Sequence, residues 1–238
     1  MAKNTTKYSV LVTNTILQHT LKHLFFTSSF LYSKMLLTLH PDNPNPRDLK
    51  KVIDTLNNDG VIIVPTDTIY AMACKLDSKK AIERMAKISG KKVEKVNFSL
   101  ICSDLSNIAD YTSTIDKAVF RLLKNNLPGP FTFILKANNN VTKFFAGNKK
   151  TIGIRVPDNA IAQAIIRELG MPLVVSTIHH EDEILEYMTD PEEIHEKFEH
   201  LIDVVIDGGF GGNEASTIID CTEDEPVVVR EGKGIINE

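Results

Sequence analysis

Val61-Ile62-Ile63-Val64-Pro65-Thr66-Asp67-Thr68-Ile69-Tyr70-Ala71-Met72-Ala73-Cys74 decides how the chain is read. Its first residues form a buried hydrophobic strand. That strand runs directly into Pro65-Thr66-Asp67-Thr68-Ile69-Tyr70. A strand end presenting two hydroxyls, a carboxylate and a phenol together suits a small polar ligand. The residues alone also admit a plainer account, in which the hydroxyls satisfy local backbone groups.

Working outward, Asn45 can cap a helix that Pro46 begins and Gly60 follows, with Leu49, Val52, Ile53 and Leu56 on one face. Ser78 caps the next helix, whose Ala81, Ile82, Met85 and Ile88 recur at helical spacing. Phe98–Cys102 reads as a strand and Thr114–Asn126 as a helix stopped by Pro128-Gly129-Pro130. Strands follow at Phe131–Lys136 and Thr151–Val156, then a helix capped by Asp158 and ending at Gly170, then a strand at Leu173–Thr177. Thr189-Asp190-Pro191-Glu192 opens a further helix ending near His200. Late strands are expected at Val204–Ile206, Ser216–Asp220 and Val227–Arg230. The last two lack an intervening helix, so they pair as a hairpin or lie on different edges. Strict βαβ alternation is absent. The expected fold is therefore α/β (α+β), one domain with a mixed, twisted sheet flanked by helices rather than a Rossmann fold.

Composition narrows the class. The chain has 238 residues, 42% hydrophobic and 24% charged, with a net charge of −4. These are ordinary values for a soluble globular protein, and no apolar run approaches the ~20 residues of a membrane helix. No membrane partner is expected, and the overall charge does not favour a polyanion. Cys74, Cys102 and Cys221 are far apart, without a CxxC pair. They read as buried thiols of a cytoplasmic protein, with no metal site. No Asp or Glu precedes Asp42. Residues 1–34 are expected to be an extension outside the core, and 35–238 the domain, with Met35 a plausible native start. A chain beginning at Met35 should then melt within a few degrees of the full chain. A large loss of thermal stability would show the extension to be structural.

Other segments sharpen the reading. Pro128-Gly-Pro-Phe-Thr-Phe-Ile-Leu135, Thr151-Ile-Gly-Ile-Arg-Val-Pro-Asp158, Ser216-Thr-Ile-Ile-Asp220 and Val228-Val-Arg-Glu-Gly232 follow the Pro65–Tyr70 run in order. Together they resemble the YrdC-like family, which contains the threonylcarbamoyl-AMP synthases of tRNA modification. The resemblance covers about residues 46 to 236. Pro41-Asp42-Asn43-Pro44, Asn97-Phe98 and Lys124-Asn125-Asn126 place it nearest the YciO branch.

The resemblance implies ATP, threonine and bicarbonate as substrates, with Mg²⁺ accompanying the nucleotide. It assigns catalytic roles to Lys91, Thr66 and Thr68. It places threonine against Thr66, Thr68, Tyr70, Ser176 and Thr177, and the nucleotide against Arg155, Ser216, Thr217 and Arg230. Read by themselves, Ser216 and Thr217 are equally strand hydroxyls, and Arg230 is equally an edge-strand charge. Lys87, Lys91, Lys92, Lys95, Lys149 and Lys150 can rim an anion-binding face, and the family carries an implied affinity for tRNA or double-stranded RNA.

The pattern also departs from the synthases. Their Lys-x-Arg-Pro loop is replaced by Ser89-Gly90-Lys91-Lys92, and Lys does not substitute for Arg at a bidentate site. Their Thr-Ser-Ala-Asn becomes Ser176-Thr177-Ile178-His179, and Ala71 and Ala73 replace two glycines. The leading expectation is a protein that forms or binds an acyl-adenylate with weakened catalytic motifs. A non-catalytic RNA-binding paralogue is the rival. A carbamoyl-adenylate former, like the YrdC-like domain of hydrogenase maturation proteins, is the third reading. Asp207-Gly-Gly-Phe-Gly-Gly212 lacks a P-loop ending and reads as a turn, and His179-His180-Glu181-Asp182 reads as a solvated loop.

Overall fold

The Val61–Cys74 stretch forms two strands. β2 (Val61–Val64) and β3 (Ala71–Lys75) pair antiparallel, Val61 opposite Cys74 and Val64 opposite Ala71, with Pro65–Tyr70 crossing between them. Ala71-Met72-Ala73-Cys74-Lys75 has no β-branched residue and does not announce a strand. Pairing with β2 on one side and β7 on the other overrides that weak propensity.

The structure is a computed structural model and describes residues 35–145, 150–178 and 187–237. Residues 1–34 lie outside the described residues, as do Lys149 and His179–Asp182. The remaining strands are β1 (Met35–Thr38), β4 (Ser99–Ile101), β5 (Phe131–Lys136), β6 (Thr151–Arg155), β7 (Leu173–Thr177), β8 (Val204–Asp207), β9 (Thr217–Asp220) and β10 (Val227–Arg230). They make one ten-stranded sheet in the order β1-β8-β2-β3-β7-β4-β6-β5-β9-β10. Parallel and antiparallel pairs mix along it, and β9 and β10 form the expected antiparallel pair. The protein is one mixed α/β domain over its described residues.

Both faces of the sheet are covered, which is why β2 is apolar throughout. Ile62 and Val64 pack with α1 (Pro46–Asn57) and α6 (Ala160–Leu169). Val61 and Ile63 pack on the other side with α2 (Lys79–Ile88), α4 (Lys117–Asn126) and α7 (Pro191–Phe198). All four are 0% exposed. Short helical turns α3 (Leu105–Ile108) and α5 (Asn139–Thr142) complete the set.

Helix caps follow side-chain chemistry. Asn45, Ser78 and Asp190 accept backbone N–H bonds at the starts of α1, α2 and α7, as expected. α4 begins later than the sequence suggests, because Asp116 caps it through the Val119 N–H. Asn159, not Asp158, caps α6; the Asp158 backbone N–H donates instead to Asp67 Oδ2 at 3.2 Å. Gly60 is required for space rather than for its conformation. A Cβ there would meet Thr55, while Asp59 just before it adopts the positive φ of 60°.

Cys74, Cys102 and Cys221 are free and buried. Burial pushes the Cys102 and Cys221 thiols up to about 12, so they are poor nucleophiles at neutral pH. Among the described residues no helix is long and apolar enough to cross a membrane.

Candidate functional site

A cross-strand row shows where the site lies. Val175, Ser99, Gly153 and Ile134 are successive partners across β7, β4, β6 and β5, so their side chains share one face. At Val175 that face joins the core beneath α1 and α6. Farther along, the same face lines a cavity of about 730 Å³. A Cβ on Gly153 would collide with Ser99 Oγ and lie 3.1 Å from Thr132 Cγ2, so glycine keeps this floor open.

Arg155 ends β6 and reaches this cavity. Its guanidinium is held from behind by the Pro65–Tyr70 turn. Nη2 donates to Asp67 Oδ1 at 2.9 Å and to Thr68 Oγ1 at 2.8 Å. Proton directions follow by elimination. Thr66 Oγ1 donates its one proton to the Ile69 carbonyl at 2.7 Å. The 3.0 Å contact between Thr66 and Thr68 hydroxyls must therefore be donated by Thr68, which leaves Thr68 Oγ1 to accept from Arg155. The chain Arg155 to Thr68 to Thr66 to Ile69 is thus satisfied and directional.

Arg230 approaches from the opposite side of the floor. Val228 pairs with Ile219, yet Arg230 pairs with Ile218, so β10 carries a bulge at Val229. In a regular strand residues 228 and 230 would share a face. The bulge turns Arg230 toward the cavity, where it and Val229 both line the wall. Arg230 Nη2 donates to the Ser216 carbonyl at 2.7 Å. Both Arg155 Nε and Arg230 Nε are buried without a hydrogen-bond partner in the structure. Burial lowers the Arg155 pKa, Asp67 opposes this, and the charge of Arg230 lowers it further. Two guanidiniums close enough to repel, each with an orphaned N–H, make a site that calls for an anion.

The candidate residues divide by position. Lys91, Arg155, Ser176, Thr177, Ser216 and Arg230 line the cavity. Lys91 is exposed, whereas Arg155 is 6% exposed. Ser216 Oγ shares a 2.8 Å hydrogen bond with Thr132 Oγ1. Thr66 and Thr68 sit behind Arg155 and do not line the cavity. Tyr70 turns to the glycine-rich turn, donating to the Gly209 carbonyl at 2.6 Å and accepting from Gly208 N–H at 3.2 Å. Burial raises its phenol to about 12. Thr217 binds the C-terminal tail, donating to Gly234 O at 2.7 Å and accepting from Gly232 N–H at 3.0 Å. Thr132, Ser99 and Lys197 also line the site and were not singled out from sequence. Only Thr132 carried a signal, because it lies inside the Pro128–Leu135 segment. Among the described residues no cluster of His, Cys, Asp or Glu side chains could hold a metal ion.

The family model described as Sua5/YciO/YrdC, telomere recombination, matches residues 54–232. The chain belongs to the Sua5/YciO/YrdC family. YciO of Escherichia coli strain K12 is 44% identical over 198 residues, covering 82% of this chain and 94% of that protein. A Haemophilus influenzae relative is 41% identical over 197 residues, with the same coverage of 82% and 94%. The crystal structure of E. coli YciO superposes with a TM-score of 0.77 at 41% identity, covering 84% of this chain and 97% of that one. Sua5 of P. abyssi, crystallised with L-threonine, gives a TM-score of 0.75 at 21% identity, covering 83% of this chain and 57% of that one. That second likeness is one of fold. The cavity and its two guanidiniums thus sit on a Sua5/YciO/YrdC scaffold, in the member segments the family model spans.

Proposed function

We propose that this protein binds ATP in the cavity and forms or holds an acyl-adenylate, in a role related to tRNA modification. The observation that carries the reading is that the side chains of Arg155 and Arg230 both line one cavity, and each carries a buried Nε–H with no protein acceptor. Hydrogen bonds from a cation to phosphate oxygens are among the stronger ones. Mg²⁺ would arrive with the triphosphate. Family membership and the threonine bound to P. abyssi Sua5 make threonine and bicarbonate the substrates to test first.

In this reading the threonine amine captures CO₂ from bicarbonate and gives a carbamate. A carbamate oxygen then attacks the α-phosphorus of ATP in line, the bond to the bridging oxygen breaks, and pyrophosphate leaves. The protein's part is placement and charge neutralisation. Arg155 and Arg230 hold phosphate oxygens, while Ser176, Thr177 and Ser216 offer hydroxyls along the wall. Thr66 and Thr68 act through Arg155 rather than on the substrate. Lys91, exposed at the cavity, contributes a screened point charge.

Lys87, Lys91, Lys92 and Lys95 are all exposed along the end of α2 and the loop after it, and Lys91 lines the cavity. This run favours tRNA or double-stranded RNA as a second ligand beside the same site. The functional test is ATP–pyrophosphate exchange with and without threonine and bicarbonate. Threonine-dependent exchange is expected, at a low rate. RNA binding without any ATP binding would make the protein a non-catalytic RNA-binding relative.

A further inference from the structure

Among the described residues, Asp67 is the one carboxylate paired with an arginine of this site, and it reaches Arg155 from behind. The Asp67 and Arg155 side chains are 9% and 8% exposed, with 2.9 Å between Oδ1 and Nη2. The second oxygen, Oδ2, accepts the Asp158 N–H. Lys233 Nζ donates to the Asp67 backbone carbonyl at 2.6 Å, tying the same turn to the C-terminal tail. Asp67 is therefore fixed. It does not line the cavity, and among the described residues no Asp or Glu does.

Charge around this end is limited. Among the described residues Arg230 forms no ion pair, and Arg155 pairs only with Asp67. Among the described residues, the buried groups at this end are two guanidiniums and one carboxylate, a single net positive charge. Lys91 and Lys197 also line the cavity but are exposed, as are Asp158 and Lys233 on the Asp67 turn and Glu231 beside Arg230 in sequence, so water and salt screen all five.

We infer that Asp67 sets how much negative charge this end accepts, matching it to the singly charged phosphate of an acyl-adenylate rather than to the dianionic phosphate of AMP. The inference rests on the nucleotide reading above. In an acyl-adenylate the phosphorus carries a ribose ester, an acyl link and one ionised oxygen. Free AMP carries two charges above its second ionisation, at about pH 6. The second charge would face the Asp67 carboxylate across the guanidinium in a poorly screened site. The site would thus hold the activated intermediate and release AMP, the product of its hydrolysis.

The test compares adenosine 5′-(O-methyl)phosphate, with one phosphate charge, and AMP, with two, by calorimetry at pH 8 on the full chain. Wild type should bind the methyl ester more tightly than AMP. Asp67→Asn, which raises the net charge by one, should swing the affinity ratio toward AMP by about tenfold. A purely structural role would weaken both ligands alike and leave the ratio unmoved, and that result overturns the inference. A wild type that prefers AMP overturns it as well. Should Asp67→Asn fail to fold, the double variant Asp67→Asn with Arg155→Gln restores one net charge through Arg230. It should keep the wild-type preference at lower overall affinity, and a swing toward AMP there would refute the charge count. If neither ligand binds wild type, the nucleotide reading itself fails and this inference with it.

Discussion

Arg155→Ala should be the most damaging single substitution at the site, and it should act twice. Removing the guanidinium takes away one of the two arginines that line the cavity, so ATP affinity should fall about tenfold or more, the worth of a charge-assisted hydrogen bond. It also strands Asp67, whose side chain is 9% exposed, without its counter-ion. Breaking a buried pair from one side typically costs about 3–5 kcal/mol of stability. One bond from a neighbour softens this, since the Asp158 N–H still reaches Oδ2. Lys91→Ala should do much less on both counts, because Lys91 is exposed and its long stem must be ordered to contribute. Calorimetry and urea unfolding on both variants check this. Equal ATP affinity in wild type and Arg155→Ala would remove Arg155 from the binding site.

Threonine-dependent pyrophosphate release should run about two to three decades below that of a synthase with intact motifs. The loop after α2 supplies an exposed Lys91 where the synthases place an arginine, and Ile178-His179 stands where they carry Ala-Asn. His179 lies outside the described residues, so this part of the prediction rests on sequence. Lys91→Arg combined with His179→Asn should raise the rate. Turnover equal to a true synthase in the unaltered protein would show that these changes do not weaken the chemistry.

Much of the architecture could be read from residues because local and tertiary preferences agree. Asn45, Ser78 and Asp190 sit where caps are needed, and β2 is apolar because both of its faces are covered. β3 escaped notice because Ala71, Met72, Ala73 and Cys74 have no strand signature; neighbours on both sides make it a strand. Asp158 competed with Asn159 for the same cap, and its N–H went to Asp67. At the site, Arg155, Ser176, Thr177 and Ser216 are strand-end residues near motif prolines or turns, and the structure brings them to one cavity. Arg230 depends on a bulge that a plain run of valines does not reveal. Thr66, Thr68 and Tyr70 are polar residues at a strand end, and sequence cannot say which way each faces. The structure sets the first two behind Arg155 and the third on Gly208 and Gly209.

The most direct test of the central claim is a crystal structure with a non-hydrolysable ATP analogue and Mg²⁺. Phosphate oxygens should lie within hydrogen-bonding distance of the guanidiniums of both Arg155 and Arg230, with Asp67 still on Nη2 of Arg155. An analogue bound elsewhere, with neither guanidinium touching phosphate, would contradict the account.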